Sequence, residues 1–302
     1  LQLNNGNGTF SEISKMAGIG DTDWSWSLLS ADFDLDGHND VFVTNGVFRD
    51  VIDRDSNSKI LATLRAKGRK PTKEDFFEYV KMLPQQKLTN YFFKNNKDLT
   101  FKNTSKTWSS EKPTFSNGAA YADFDNDGDL DLVVNNINEP ATLLKNNARE
   151  IENGSFIQFS INGPDKNKFG VGTIVNLYMN DGSVQTRQLI NTRGFLSAVS
   201  NKLHFGIHKD AEVLKAKIVW QDGKQQEITN PVLNTTILAA YSNATEIIKT
   251  KETESPTLFS KVKFEYAHDD PYFNDYHKQV LLPHKLSQIG PAVAKADINN
   301  DG

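Results

Sequence analysis

Two nearly identical acidic loops, each entered and left by a β-rich run, constrain this chain more than any other feature. Asp32-Phe33-Asp34-Leu35-Asp36-Gly37-His38-Asn39-Asp40 is the first, and Asp123-Phe124-Asp125-Asn126-Asp127-Gly128-Asp129-Leu130-Asp131 is the second. Residues 28–31 and 119–122 lead into them, and residues 41–44 and 132–134 follow. A third copy, Asp297-Ile298-Asn299-Asn300-Asp301-Gly302, closes the sequence. Carboxylates at positions 1, 3 and 5, a turn glycine at 6 and a carboxylate at 9 suit a hard cation. Calcium takes six to eight oxygens and tolerates irregular geometry. So many carboxylates in one short loop repel one another, and a cation relieves that repulsion more simply than a protonated acid/base pair would. The loops are not EF-hands, which need flanking helices and a glutamate at position 12, where Val43 and Val134 stand here.

The expected ligands are the side chains of Asp32, Asp34, Asp36 and Asp40 with the carbonyl of His38. In the second loop they are Asp123, Asp125, Asp127 and Asp131 with the carbonyl of Asp129. Asp297, Asn299 and Asp301 are the counterparts in the third. Position 4, Leu35 or Asn126, should point away from the ion.

A second repeat accompanies the loops. Leu1-Gln2-Leu3-Asn4-Asn5-Gly6-Asn7-Gly8-Thr9-Phe10 aligns with Phe92-Phe93-Lys94-Asn95-Asn96-Lys97-Asp98-Leu99-Thr100-Phe101. Each reads as a strand, an Asn-rich turn and a second strand, since Asn and Gly tolerate positive φ. Strand–loop–strand units in series suit a β-propeller, whose blades are short antiparallel sheets. The two full loops lie too far apart for one plain blade, and the excess falls at about 47–90. There Ile60, Leu61 and Leu64 have helical spacing, Thr72 reads as an N-cap with Asp75 three residues on, and Pro84 marks a stop. This helical insertion either covers an edge of the repeats or walls a binding surface.

From about residue 150 the pattern changes to a compact all-β domain. Strands are expected at 156–161, 173–179, 184–189, 214–220 and 225–229, with turns at Asn180-Asp181-Gly182-Ser183 and Gln221-Asp222-Gly223-Lys224. The expected domains are repeats over 1–149, the β-domain over 150–244, a linker over 245–257 and the start of further repeats over 258–302. Both ends read as cut from a longer chain.

The net charge of −4 leaves no positive excess for a phosphate backbone, so nucleic acid is not an expected partner. No apolar run is long enough for a transmembrane helix. The absence of cysteine removes thiolate chemistry and Cys-ligated metals. Six scattered histidines form no metalloprotease motif and have no Ser or Asp partner at triad spacing. Trp24 and Trp26, just before the first loop, read as packing residues.

The loops and their strands resemble FG-GAP/VCBS repeats, in the form found in cartilage-acidic-protein-like bacterial proteins. Gly170-Val171-Gly172-Thr173, Gln185-Thr186-Arg187, Gly194-Phe195-Leu196-Ser197, His204-Phe205-Gly206 and Val219-Trp220-Gln221-Asp222-Gly223 resemble the ASPIC/UnbV domain that follows such repeats. Thr173 and Gln221 depart from the family's usual alanine and proline. The resemblance implies an all-β protein of propeller blades with calcium-binding loops, then a small all-β domain. It implies an exported protein, whether extracellular, outer-membrane-associated or periplasmic. It also implies Ca2+ as the bound ion, no enzymatic activity, and a glycan or protein ligand at the cell surface. The alternatives are a carbohydrate-active enzyme with its site on a propeller face, and a structural spacer.

Overall fold

The structure is a computed structural model that describes residues 1–110, 112–246, 263, 269, 273–280, 282, 285 and 287. The chain divides into two units, Leu1–Ile248 and Lys249–Gly302. In the second, the described residues form a short turn at Asp275–His277, where Asp275 Oδ2 accepts from the backbone N–H and hydroxyl of Ser287. Most of the region expected to begin further repeats over 258–302, including Asp297, Asn299 and Asp301, and nearly all of the expected linker lie outside the described residues.

The first unit opens with a hairpin, β1 (Gln2–Asn4) and β2 (Phe10–Glu12). A four-stranded antiparallel meander follows, in the order β3 (Ser25–Ala31), β4 (Asp40–Asn45), β5 (Tyr91–Asn95), β6 (Phe101–Asn103). Between β4 and β5 the chain leaves the sheet for α1 (Arg54–Ala66) and α2 (Lys73–Met82). After α3 (Ser105–Trp108) comes a three-stranded meander of β7 (Ser116–Ala122), β8 (Asp131–Asn136) and β9 (Thr142–Leu144). The acidic loops are the β3–β4 and β7–β8 connections. Among the described residues the sheets do not close into a ring.

The hairpin repeat holds at the level of single hydrogen bonds. Asn5 N–H donates to Thr9 O and Asn96 N–H to Thr100 O, each at 3.0 Å. Asn4 and Asn95 side chains cap the next turn N–H at 2.9 and 2.8 Å, and Asn7 and Asp98 accept from the Thr9 and Thr100 hydroxyls. These local side-chain bonds make the turn a property of the sequence segment. The two meanders share one core. Leu29, Phe33, Phe42 and Phe92 of the first pack with Ala119, Leu130, Leu132 and Val134 of the second.

The insertion is helical as expected, and Thr72 and Asp75 form the reciprocal cap at the start of α2. Its packing differs from simple edge cover. α1 buries no residue, and Leu61, Phe76, Phe77 and Val80 remain exposed. Asp75 is held by Lys67, the C-cap of α1, at 2.5 Å and by Arg69 at 2.6 Å, which ties the start of α2 to the end of α1.

After α4 (Ala148–Glu152) the β-domain forms two sheets. Its strands are β10 (Ser155–Asn162), β11 (Ile174–Met179), β12 (Val184–Gln188), β13 (Lys202–Ile207), β14 (Val213–Val219), β15 (Gln225–Thr229) and β16 (Thr235–Ala240). One sheet is β13-β10-β16 and the other β12-β11-β14-β15, closing over Phe159, Val175, Leu177, Phe205, Ile218 and Trp220. β16 runs parallel to β10, a long-range pairing with no hairpin signal in the sequence. Thr245 bridges to Gln225, so the sheet edge extends one residue into the segment expected to be linker. Among the described residues no helix is long and apolar enough to cross a membrane.

Candidate metal centre

Each loop begins where the first strand of its sheet ends and returns as the second. In the first, the Asp32 carboxylate accepts the N–H groups of Asp36 and Gly37 at 3.1 and 2.8 Å, and Asp36 Oδ1 accepts that of His38 at 3.0 Å. In the second, Asp125 and Asp127 accept the N–H groups two residues on, at 3.4 and 3.2 Å. Position 4 is left-handed in both, Leu35 at φ 59° and Asn126 at φ 62°, and so is the position-6 glycine, at φ 90° and 103°. This winding turns the odd-numbered side chains inward. The carboxylates of Asp32, Asp34 and Asp36 each offer an oxygen within 4.8 Å of the others, as do those of Asp123, Asp125 and Asp127.

Position 9 has a different role from its neighbours. Asp40 accepts the N–H of Phe33 at 3.1 Å through Oδ2 and that of Asn95 at 2.9 Å through Oδ1. Asp131 repeats this with Phe124 at 2.9 Å and Asn146 at 2.8 Å. These two aspartates tie each loop to the next strand and stand outside the three-carboxylate groups. Each of their oxygens keeps a second lone pair. The His38 side chain is exposed and lies outside those groups. Asp129, read from sequence for its carbonyl alone, instead buries its carboxylate completely. Its Oδ2 accepts the Arg149 N–H at 3.0 Å, and Asp127, Asp129 and Glu150 form a third oxygen group within the same 4.8 Å.

Electrostatics mark the loops as charge-frustrated. Burial, then the charges of Asp34 and Asp36, pushes Asp32 up to about 7. Burial, then Asp34, pushes Asp40 up to about 8, and burial raises Asp34 itself. Asp129 rises to about 7, again chiefly through burial. Asp34 Oδ1, Asp123 Oδ1, Asp127 Oδ2 and Asp129 Oδ1 are buried without hydrogen-bond partners. An orphaned, buried, anionic oxygen is costly unless something cationic meets it. The donor set is all oxygen, so these residues fit a hard divalent ion.

Lysine ammonium groups partly meet that need in each loop. Lys94 pairs with Asp34 and lies 3.9 Å from Asp36, while Lys145 is 2.6 Å from Asp125 and 3.7 Å from Asp127. Both lysines open a Lys-Asn-Asn triplet, Lys94-Asn95-Asn96 and Lys145-Asn146-Asn147, that follows its loop. The Asn95 and Asn146 side chains donate to the loop carbonyls of Asn39 and Leu130. The triplet was available as a sequence signal for these counter-ions.

The β-domain covers both loops, which no local pattern announced. Gln158 on β10 donates to Asp123 Oδ2 at 2.9 Å. Desolvation lowers His204 on β13 to about 4, and its Nε2 donates to Gly128 O at 2.8 Å as the neutral ring. A Cβ on Gly206 would lie 2.1 Å from Asp32 Oδ2, and one on Gly128 would lie 2.0 Å from the Phe156 ring. Trp26 packs on Phe195 with centroids 4.9 Å apart, in agreement with its reading as a packing residue.

Comparison with known families agrees with this architecture. Residues 1–43 and 84–134 match the FG-GAP-like repeat, skipping the helical insertion, and residues 163–246 match the ASPIC and UnbV domain. The chain thus carries a match to FG-GAP-like repeats followed by a match to the ASPIC and UnbV domain. Among curated proteins it is similar to cartilage acidic protein 1 of Xenopus tropicalis, at 24% identity over 286 residues. That alignment covers 84% of this chain and 43% of the relative, so the chain spans less than half of that protein's length.

Proposed function

We propose that this protein is a calcium-stabilised, extracellular recognition or scaffold protein without enzymatic activity, and that its meander sheets are propeller blades. The observation that carries the reading is the set of buried carboxylate oxygens without partners, held in the same backbone frame in both loops and covered by the β-domain. Asp32, Asp34 and Asp36 would hold one ion and Asp123, Asp125 and Asp127 another. The ion would neutralise the loop and brace it under the β-domain. Calcium removal with a chelator, followed by thermal melting and elemental analysis, tests this. An unchanged melting temperature with no ion in the intact protein would overturn it.

Several features support a non-enzymatic role. His204 is neutral and donates to a backbone carbonyl, and Asp40 and Asp131 each accept two backbone N–H groups. Leu61, Phe76, Phe77 and Val80 on the insertion offer an exposed apolar surface of the kind that marks partner contacts. The ligand in this reading is a glycan or a protein at the cell surface. A glycan array probed with calcium-loaded protein, with a hydrolysis readout on the same glycans, separates recognition from catalysis. Product release abolished by changing a carboxylate outside the acidic loops would establish an enzyme instead.

A further inference from the structure

The two loops share a frame but not a charge balance. The first holds four carboxylates and has Lys94 and Lys97 against it, the latter 3.2 Å from Asp36. Arg187 adds a favourable charge to Asp32. The second holds five carboxylates in its loop, and Glu150 joins them from α4, against the single ammonium of Lys145. Lys145 is spent chiefly on Asp125, at 2.6 Å. On the other side of Asp127, Asp129 is fully buried with one oxygen fixed by the Arg149 N–H and the other without a partner. Asp127 Oδ2 is likewise buried and without a hydrogen bond, with the Lys145 ammonium 3.7 Å away.

We propose that the second loop takes a further divalent cation, held by Asp127, Asp129 and Glu150, with Asp127 bridging it to the ion of Asp123 and Asp125. Ligand oxygens on one calcium ion lie at most about 5 Å apart, twice the usual ligand distance. The three carboxylates satisfy that limit, with oxygens within 4.8 Å of one another. Among the described residues the first loop has no equivalent group: His38 stands at position 7, with its side chain exposed, and Lys97 approaches Asp36. The structural cause is α4. Where the first loop is followed by the β5–β6 turn, the second is followed by a helix start whose N–H fixes Asp129 and whose first turn carries Glu150.

This inference rests on reading the loops as calcium sites, and its test separates the two. Calcium is titrated into the full chain, with bound ions counted by calorimetry and native mass spectrometry, for the unchanged protein, Glu150→Gln and Asp125→Asn. Glu150 is exposed, so its amide should leave the fold intact, which circular dichroism checks. Glu150→Gln should bind one calcium fewer than the unchanged protein. The same count and affinity in Glu150→Gln, with a loss in Asp125→Asn, would overturn the further site and leave the loop reading standing. No change in either variant would overturn both.

Discussion

The two acidic loops show how one motif can be set in two electrostatic environments. The first is buried, with Asp32, Asp34 and Asp40 almost fully enclosed and lysines closing its open side. The second is wetter at Asp125 and more acidic around Asp129. Position 4 shows the same divergence. Leu35 is buried against Ala148 and Phe156, whereas Asn126 faces solvent. A repeat therefore conserves backbone winding more strictly than charge balance, because winding is set by local hydrogen bonds and charge balance by whatever packs alongside.

The largest expected difference between the loops lies at their glycines. Gly128→Ala would drive a methyl into the Phe156 ring, at a φ of 103°. Phe156 is buried and cannot yield, so a loss of roughly 2–5 kcal/mol is expected from strain and overpacking together. Gly37→Ala meets only the tip of the Gln185 side chain and should cost less. Denaturant unfolding of both variants checks this, and equal losses would mean that the cover over the two loops is equivalent.

Calcium removal comes next. A ligand at a hundred times its Kd adds about 2.7 kcal/mol per site, so chelation should lower Tm by several degrees. Asp125→Ala should then weaken calcium binding in the second loop far more than Asn126→Ala. Asn126→Ala should lose a little stability, because alanine is less at ease at φ 62°. Calorimetric titration decides, and equal loss of affinity would break the assigned register.

The pH dependence is a test of sign. Asp32 at about 7 and Asp40 at about 8 both lie above the unfolded carboxylate value, so the folded protein holds protons that the unfolded chain releases. In chelator, stability should therefore fall as pH rises from about 4 through 8. Calcium needs the ionised carboxylates, so saturating calcium should flatten or reverse that slope. Melts across this range in chelator check the sign, and stability rising with pH would contradict the frustration of the first loop.

Much of this was legible because it is local. The Asp-x-Asp-x-Asp-Gly spacing, the Asn-Thr turns of the two hairpins, the Thr72–Asp75 cap and the alternation in β10 and β11 each depend on residues a few positions apart. The same locality leaves the surroundings of three loop aspartates unannounced. Asp40 and Asp131 stand in the motif beside the other carboxylates, and each also accepts two backbone N–H groups, one of them from beyond the loop, Asn95 on β5 and Asn146 after β9. Asp129 was assigned for its carbonyl because nothing nearby in sequence shows that α4 would fix its carboxylate.

By itself, the sequence determined the all-β elements, the repeat frame and the presence of two oxygen-rich loops, because short-range hydrogen bonds and periodicity define them. Only the tertiary structure decided that the β-domain covers those loops, that Gln158 and His204 reach into the second, and that Lys94 and Lys145 stand as their counter-ions. Those contacts join segments far apart in the chain, where burial raises the carboxylate pKa values and makes the need for a cation a property of the fold.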